Sequence, residues 1–103
     1  MIDLNKVNKI YFIGIGGIGI SAVAGIMHVR SFIVEGSDAA ETDIVSDLRA
    51  HQIPVHVPHN ADHLSNLIDL VVYSVAVPET NVELIRAKEL GLPTLTYPQL
   101  LGL

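Results

Sequence analysis

The 103-residue chain is long enough for one domain, and with 50% hydrophobic and 17% charged residues it can bury a core, which excludes a disordered chain. A net charge of -5 gives no basic footprint for nucleic acid, and the absence of cysteine excludes disulfides and thiolate metal sites. The N-terminus is polar and the apolar runs are short, so we expect a cytoplasmic protein without a membrane partner.

Strands and helices are predicted to alternate along the chain. Lys9–Ile13 is a short apolar run that ends at glycines, which predicts a buried first strand, and Ile18–Val29 carries apolar residues at helical spacing. A second strand is predicted at residues 32–35. A helix is predicted at residues 43–51, with Thr42 as its N-cap.

The second half of the chain continues this alternation. The further predicted strands are residues 54–57, 69–74 and 93–96, and the further predicted helices are residues 61–66, 79–90 and 97–101. Five strands alternating with helices predict an α/β fold, a Rossmann-like parallel five-stranded sheet with helices on both faces. We expect residues 1–103 to form one domain, and the pattern stops midway, as in a larger protein that has been cut.

The segment after the first strand carries the clearest chemical signal. Gly14, Gly16 and Gly19 match G-x-G-x-x-G, between a predicted strand and a predicted helix, as a dinucleotide-binding loop requires. Gly14 would permit the tight turn, Gly16 the approach of a pyrophosphate and Gly19 the close packing of helix on strand. Arg30 lies roughly 16 Å along the helix, too far to neutralise an anion, so backbone N–H groups must bind it. The alternative is a glycine-rich turn that only packs helix against strand.

Two carboxylates follow the second predicted strand. Glu35 lies 21 positions after Gly14, close to where dinucleotide enzymes place an acidic residue on the ribose. Asp38 places another carboxylate at the mouth of the same crevice. The alternatives are a solvated charge for Glu35 and a turn or helix-cap residue for Asp38.

Several segments taken together resemble the Mur ligase family. They are residues 11–21 (YFIGIGGIGIS), 36–38 (GSD), 71–74 (VVYS), 78–84 (PETNVEL) and 91–93 (GLP). The resemblance covers essentially the whole chain and is strongest to members that join L-alanine to UDP-N-acetylmuramate in peptidoglycan precursor synthesis. It implies an N-terminal domain that binds the UDP part of this sugar nucleotide, with the rest of the ligase chain as its partner.

By this resemblance, the substrate-binding residues form three groups. Backbone N–H groups of the glycine loop would bind the diphosphate, a Gly-Ser-Asp segment and a histidine loop would flank the uridine, and a serine after the fourth strand would contact a phosphate or the sugar. The diphosphate group is Gly16, Gly17, Ile18, Gly19 and Ile20. The uridine group is Ser37, Asp38 and His59, and the serine after the fourth strand is Ser74.

The chain departs from the family pattern in four places. Val75 stands where a second serine is usual, Pro58 and Ser31 replace glycines, and Ile20 takes a methionine position. The chain also lacks a G-x-x-x-x-G-K-[ST] loop. The resemblance therefore implies that ATP and Mg²⁺ bind in a central domain outside this chain, and that this domain contains no catalytic residue and is inactive alone.

Other polar residues suggest no further chemistry. His59 and His63 are four apart, but no third ligand is evident and we predict no metal site. His56 is predicted at the surface, and Glu83 is predicted on a solvated helix face without a function.

Three alternative functions remain open at this point. The chain could be an NAD(P)-binding domain of an oxidoreductase or a nucleotide-sensing module. It could also belong to a related ligase that recycles tripeptide onto the same sugar nucleotide.

Overall fold

A computed structural model describes residues 2–103 and shows a single parallel sheet with helices on both faces, which confirms the predicted fold class. The strands are β1 (Lys9–Ile13), β2 (Ile33–Ser37), β3 (Val55–His56), β4 (Leu70–Tyr73) and β5 (Thr94–Thr96). The helices are α1 (Ile18–Val29), α2 (Asp43–Ala50), α3 (Val82–Glu89) and α4 (Tyr97–Leu101), with 3₁₀ turns at Leu4–Lys6 and Ala61–His63.

The strand order places the start of the chain at the centre of the sheet. The order is β3-β2-β1-β4-β5 and every pair is parallel. The chain runs outward from β1 to β3 on one side, then crosses to β4 and β5 on the other. This reversal between β1 and β4 is a topological switch point, where ligands of open α/β sheets bind beyond the carboxyl ends of the strands.

The two faces of β1 are buried in different cores, because successive side chains of a strand point to opposite faces. Ile10 and Phe12 pack in the cluster that includes residues of α1, α2 and α4, whereas Tyr11 and Ile13 pack in the cluster that includes residues of α3. All four side chains are fully buried. Burial on both faces is typical of a parallel sheet.

Element boundaries differ from the predictions where glycine or capping residues intervene. Strand β2 continues past Glu35 to Ser37, because the N–H of Gly36 donates to the carbonyl of Pro54 and joins β2 to β3. Helix α3 begins at Val82, later than predicted, because Asn81 caps it. The predicted N-cap of α2 is confirmed, since the Thr42 hydroxyl accepts from the N–H of Val45.

No helix within residues 2–103 combines the length and the apolar character needed to cross a membrane.

Candidate functional site

The glycine loop is tied to the end of β2. The N–H groups of Gly14 and Ile15 both donate to the carbonyl of Ser37, at 2.9 Å each. Gly14 has a φ of 77°, a conformation that glycine adopts without the steric cost of a Cβ, and this confirms its predicted role in the tight turn. The loop is therefore held at the carboxyl edge of the sheet, beside the switch point.

The amides of the loop divide into engaged and free donors. The N–H of Gly16 donates to Asp38 Oδ2 at 2.8 Å, and the N–H of Gly17 donates to the carbonyl of Gly14 at 3.2 Å. The next three amides, those of Ile18, Gly19 and Ile20, have no acceptor among residues 2–103.

These free amides lie in the first turn of a 12-residue helix, whose N-terminus carries about half a positive charge. Ile18 is 84% exposed, Gly19 is half-buried and Ile20 is buried, so the turn is open to solvent at Ile18 and Gly19. Arg30 is the C-cap of α1, at the opposite end of the helix. The first turn of α1 can therefore bind an anion with backbone donors and without a cationic side chain.

Two other loop glycines are required by neighbouring atoms. A Cβ on Gly16 would lie 2.7 Å from Asp38 Oδ2, so a larger side chain would displace that carboxylate. A Cβ on Gly19 would lie 2.6 Å from the Tyr97 hydroxyl. Gly19 thus makes room for Tyr97 of α4, whereas the prediction placed its close contact on a strand. Close packing at the sheet instead occurs at Gly36, where a Cβ would lie 2.5 Å from the carbonyl oxygen of Phe12.

Ser74 lies on the β4 side of the switch point. Its N–H donates to the carbonyl of Ile13 at 3.2 Å, and its hydroxyl accepts from the N–H of Ala76 at 3.2 Å. The Ser74 Cβ would be 3.4 Å from a Cβ on Gly14, so the predicted serine does flank the glycine loop. Val75, which replaces the usual second serine, is 70% exposed beside it.

Ser37 and His59 meet on the β2 side of the loop. The Ser37 hydroxyl lies 2.8 Å from His59 Nδ1 and also contacts the carboxylate of Glu83. Ser37 is fully buried and its hydroxyl is engaged by both neighbours. Of the predicted uridine-side residues, Asp38 and His59 therefore retain partial exposure, while Ser37 faces the interior.

The solvated position predicted for Glu83 is wrong. Its side chain is fully buried and accepts from Tyr11 Oη at 3.1 Å, from the N–H of Asn60 at 3.0 Å and from the Ser37 hydroxyl. It also lies 2.8 Å from His63 Nδ1. Burial, together with the negative charge of Glu83, raises the pKa of the Tyr11 hydroxyl and keeps it protonated as a donor. A buried carboxylate is tolerated here because it is surrounded by donors.

The helical spacing of the sequence indicates that Glu83 is buried. Glu83 lies one turn before Ala87 and next to Leu84, and all three are buried on the same face of α3. The charge of Glu83 predicts a solvated face, whereas the apolar stripe of the helix passes through this position.

Glu35 is also not a solvated strand-end residue. It lies inside β2, where it pairs with Lys9 Nζ at 2.9 Å and with His56 Nε2 at 2.5 Å. Burial opposes ionisation, but these two partners hold the pKa of Glu35 below its ordinary value. His56 is half-buried and its ring stacks on that of His63, with centroids 4.2 Å apart, so its predicted surface position is only partly correct.

The histidines near Glu83 are engaged with protein partners. Residues 2–103 contain no group of three side chains arranged to hold a metal ion. The Nδ1 atoms of His59 and His63 are already directed at Ser37 and Glu83.

A sizeable concavity lies away from the loop. It is a groove of about 770 Å³ between α1 and α2, lined largely by apolar residues such as Ala22, Ile26 and Val29. None of residues 14–20 lines it. Recognition of a diphosphate needs polar donors, which are concentrated instead at the carboxyl edge of the sheet.

The parallel sheet, its switch point and the glycine loop at the start of α1 define a Rossmann-like α/β domain. A family model described as Mur ligase family, catalytic domain, matches residues 9–103. The chain therefore belongs to the Mur ligase family.

Individual relatives agree with this assignment. The chain is 46% identical to UDP-N-acetylmuramate–L-alanine ligase of Agathobacter rectalis over 101 residues. The matched region covers 98% of this chain and 22% of that protein. The crystal structure of UDP-N-acetylmuramate–alanine ligase from Thermotoga maritima matches with a TM-score of 0.86 and 40% identity, over 90% of this chain and 21% of that one. The chain thus spans about a fifth of the length of these relatives.

Two further similarities bear on the alternatives. The UDP-N-acetylmuramate:L-alanyl-γ-D-glutamyl-meso-diaminopimelate ligase of Neisseria meningitides has a TM-score of 0.84 but 29% identity, over 92% of this chain and 30% of that one. Shikimate dehydrogenase from Aquifex aeolicus, at 18% identity and a TM-score of 0.56 over 88% of this chain and 42% of that one, shares the fold alone. The oxidoreductase alternative therefore has only distant fold similarity behind it.

Proposed function

We propose that this chain is the domain of a UDP-N-acetylmuramate–L-alanine ligase that binds UDP-N-acetylmuramate, in the cytoplasmic synthesis of peptidoglycan precursors. The observation that carries the proposal is the set of three unpaired amides at the start of α1, beside the switch point of the sheet. Backbone donors at a helix N-terminus suit a diphosphate. The identity of the sugar nucleotide comes from the printed names of the relatives.

In this proposal the remaining site residues surround the nucleotide. The amides of Ile18, Gly19 and Ile20 bind the diphosphate, while those of Gly16 and Gly17 shape the loop because they already have internal acceptors. Asp38 and His59 lie on the uridine side and Ser74 on the opposite side of the loop.

The ATP-dependent step is assigned to parts of the ligase outside residues 1–103. The described residues do not fit an ATP–Mg²⁺ site, since the glycine loop carries no lysine and no metal-ligand cluster is present within residues 2–103. We expect this chain alone to bind its sugar nucleotide without forming an amide bond.

The proposal is tested by calorimetric titration of the chain with UDP-N-acetylmuramate, UDP, NADH and ATP in parallel. We expect saturable binding of UDP-N-acetylmuramate, weaker binding of UDP and no binding of NADH. Tight binding of NADH without the sugar nucleotide would support the oxidoreductase alternative. Binding of ATP alone would support a nucleotide-sensing module.

A further inference from the structure

The buried carboxylate of Glu83 fixes the direction of a short hydrogen-bond chain. Its Oε2 accepts from an obligate donor, the N–H of Asn60, and lies within hydrogen-bond distance of Tyr11 Oη and His63 Nδ1. Its Oε1 contacts the hydroxyl of Ser37. An ionised carboxylate only accepts hydrogen bonds, so surrounding donors match the ionised form, and the single proton of the Ser37 hydroxyl is directed at Glu83.

The protonation of His59 follows from this direction. Ser37 Oγ also lies 2.8 Å from His59 Nδ1, and it has no second proton to donate. The bond is therefore formed by an N–H on His59 Nδ1, with Ser37 Oγ as the acceptor. When the His59 ring is neutral, its other nitrogen, Nε2, carries no proton and is an acceptor.

His59 Nε2 is open to solvent. It has no hydrogen-bond partner among residues 2–103. Every buried side-chain nitrogen or oxygen of these residues, by contrast, does have a partner. The atom must therefore be exposed, on a side chain that is 17% exposed overall. It lies on the loop that follows β3, next to the end of β2.

We propose that Glu83 is a positioning residue that acts through Ser37 to hold His59 in the Nδ1–H tautomer, so that Nε2 accepts a hydrogen bond from the nucleoside of the ligand. The donor is a ribose hydroxyl or the imide N–H of the base. The identity of the ligand rests on the proposed function, whereas the tautomer depends on Glu83 and Ser37 alone. A neutral acceptor also favours a hydroxyl or N–H over a phosphate oxygen, which has no proton to donate.

The tautomer is measured without any ligand. Nitrogen-15 NMR of the chain, at a pH where the His59 ring is neutral, distinguishes a protonated Nδ1 from a protonated Nε2. We expect the proton of His59 on Nδ1. A proton on Nε2 would overturn the proposal, whatever the ligand is.

A matched pair of variants then tests the role of Glu83. Glu83→Gln keeps the size of the side chain but introduces an amide that can donate to Ser37, which would turn the Ser37 proton toward His59 Nδ1 and move the ring proton to Nε2. We expect the tautomer to change and the affinity for UDP to fall about tenfold. Glu89→Gln, on an exposed position of α3, should change neither. An unchanged tautomer in a folded Glu83→Gln variant contradicts the proposal. If that variant does not fold, the nitrogen-15 NMR measurement of the wild-type tautomer decides whether the proposal holds.

The donor on the ligand is identified with analogues. UDP is compared with its 2′-deoxy, 3′-deoxy and N3-methyl forms, and we expect one of them to bind about tenfold more weakly to the wild-type chain. The same analogue should lose little further affinity in Glu83→Gln. Equal binding of all four to the wild type would overturn the acceptor role of His59. If UDP does not bind at all, the proposed function fails, while the tautomer still decides whether Glu83 positions His59.

Discussion

Ser31 occupies a backbone conformation that favours glycine. Its φ is 74°, in the left-handed region, where an L-residue costs about 1–2 kcal/mol. The resemblance to the Mur ligases had marked this position as one where glycine is usual. Because the residue is exposed, just after the C-cap Arg30 of α1, its side chain offers little compensation in packing.

Replacing Ser31 with glycine should therefore stabilise the chain. The relief of the left-handed strain is partly offset by the greater freedom of glycine in the unfolded state, so Ser31→Gly should raise the free energy of unfolding by about 0.5–1 kcal/mol in urea denaturation. Ser46→Gly, the same change at an exposed helical position of α2, should lower it by a similar amount. A decrease for Ser31→Gly would show that the strain is absent.

Two glycines, Gly36 and Gly25, should respond in opposite directions when each is replaced by alanine. A Cβ on Gly36 would press against the carbonyl of Phe12 at 2.5 Å and Ile15 Cδ1 at 2.8 Å, so Gly36→Ala should lower the free energy of unfolding by about 1–3 kcal/mol. Gly25 lies inside α1 with nothing within 4 Å of its Cβ position, so Gly25→Ala should raise it by about 0.5–1 kcal/mol. Thermal denaturation followed by circular dichroism measures both, and a common sign for the two changes would contradict the packing described at β2.

At the scale of elements, two carboxylates, Asp69 and Glu35, join neighbouring strands of the sheet. Asp69, just before β4, accepts from the N–H groups of Asn8 and Lys9 at 2.9 Å each. These two hydrogen bonds lower the pKa of Asp69. Glu35 of β2, although partly desolvated, also has a lowered pKa because it pairs with Lys9 and His56.

These lowered pKa values predict the direction of acid sensitivity. The unfolded chain binds protons at these two carboxylates more readily than the folded chain does. The ionised carboxylates therefore stabilise the fold fully above their ordinary pKa values, 3.8 for Asp69 and 4.5 for Glu35. This stabilisation is lost as the pH falls below those values. The free energy of unfolding in urea should therefore decrease as the pH falls from about 5 to about 3. Asp69→Asn should have a shallower decrease, and a slope equal to that of the wild type would contradict the assignment.

The elements themselves were largely predictable from the sequence. The strand β1 and the helices α1 and α4 have the predicted bounds, because their apolar residues follow the strand or helix pattern and a glycine stands directly beside one end of each. Strand β2 was predicted too short at its carboxyl end, since Gly36 looks like a stop in sequence but fits a close contact with β1 in three dimensions.

The site was predictable only where it is local in sequence. The glycine loop and its place beside β1 followed from the strand–loop–helix pattern. The bond from Gly16 to Asp38 and the contact from Ser37 to Glu83 join residues that are 22 and 46 positions apart. Periodicity carries no information about such pairs: the helical phase of α3 places Glu83 on the buried face but does not name Ser37 as its partner.

At the scale of the whole molecule, the fold brings all the predicted binding residues to one edge. Parallel strands end together, so the segments that follow β1, β2, β3 and β4 place the glycine loop, Asp38, His59 and Ser74 around the switch point. The central claim is that unpaired amides at the start of α1 bind the diphosphate without a cationic side chain.

The most direct test removes one of these amides without disturbing the helix. Ile18 is the first residue of α1, where proline is well tolerated, and the preceding Gly17 has the extended conformation that proline requires, with φ -67° and ψ 153°. Ile18→Pro therefore deletes an unpaired N–H, whereas Ile18→Ala keeps the N–H and removes only the exposed side chain. Calorimetry with UDP-N-acetylmuramate should show binding to Ile18→Pro that is about ten- to a hundredfold weaker than to Ile18→Ala. Equal affinity of the two variants for the sugar nucleotide would contradict the account.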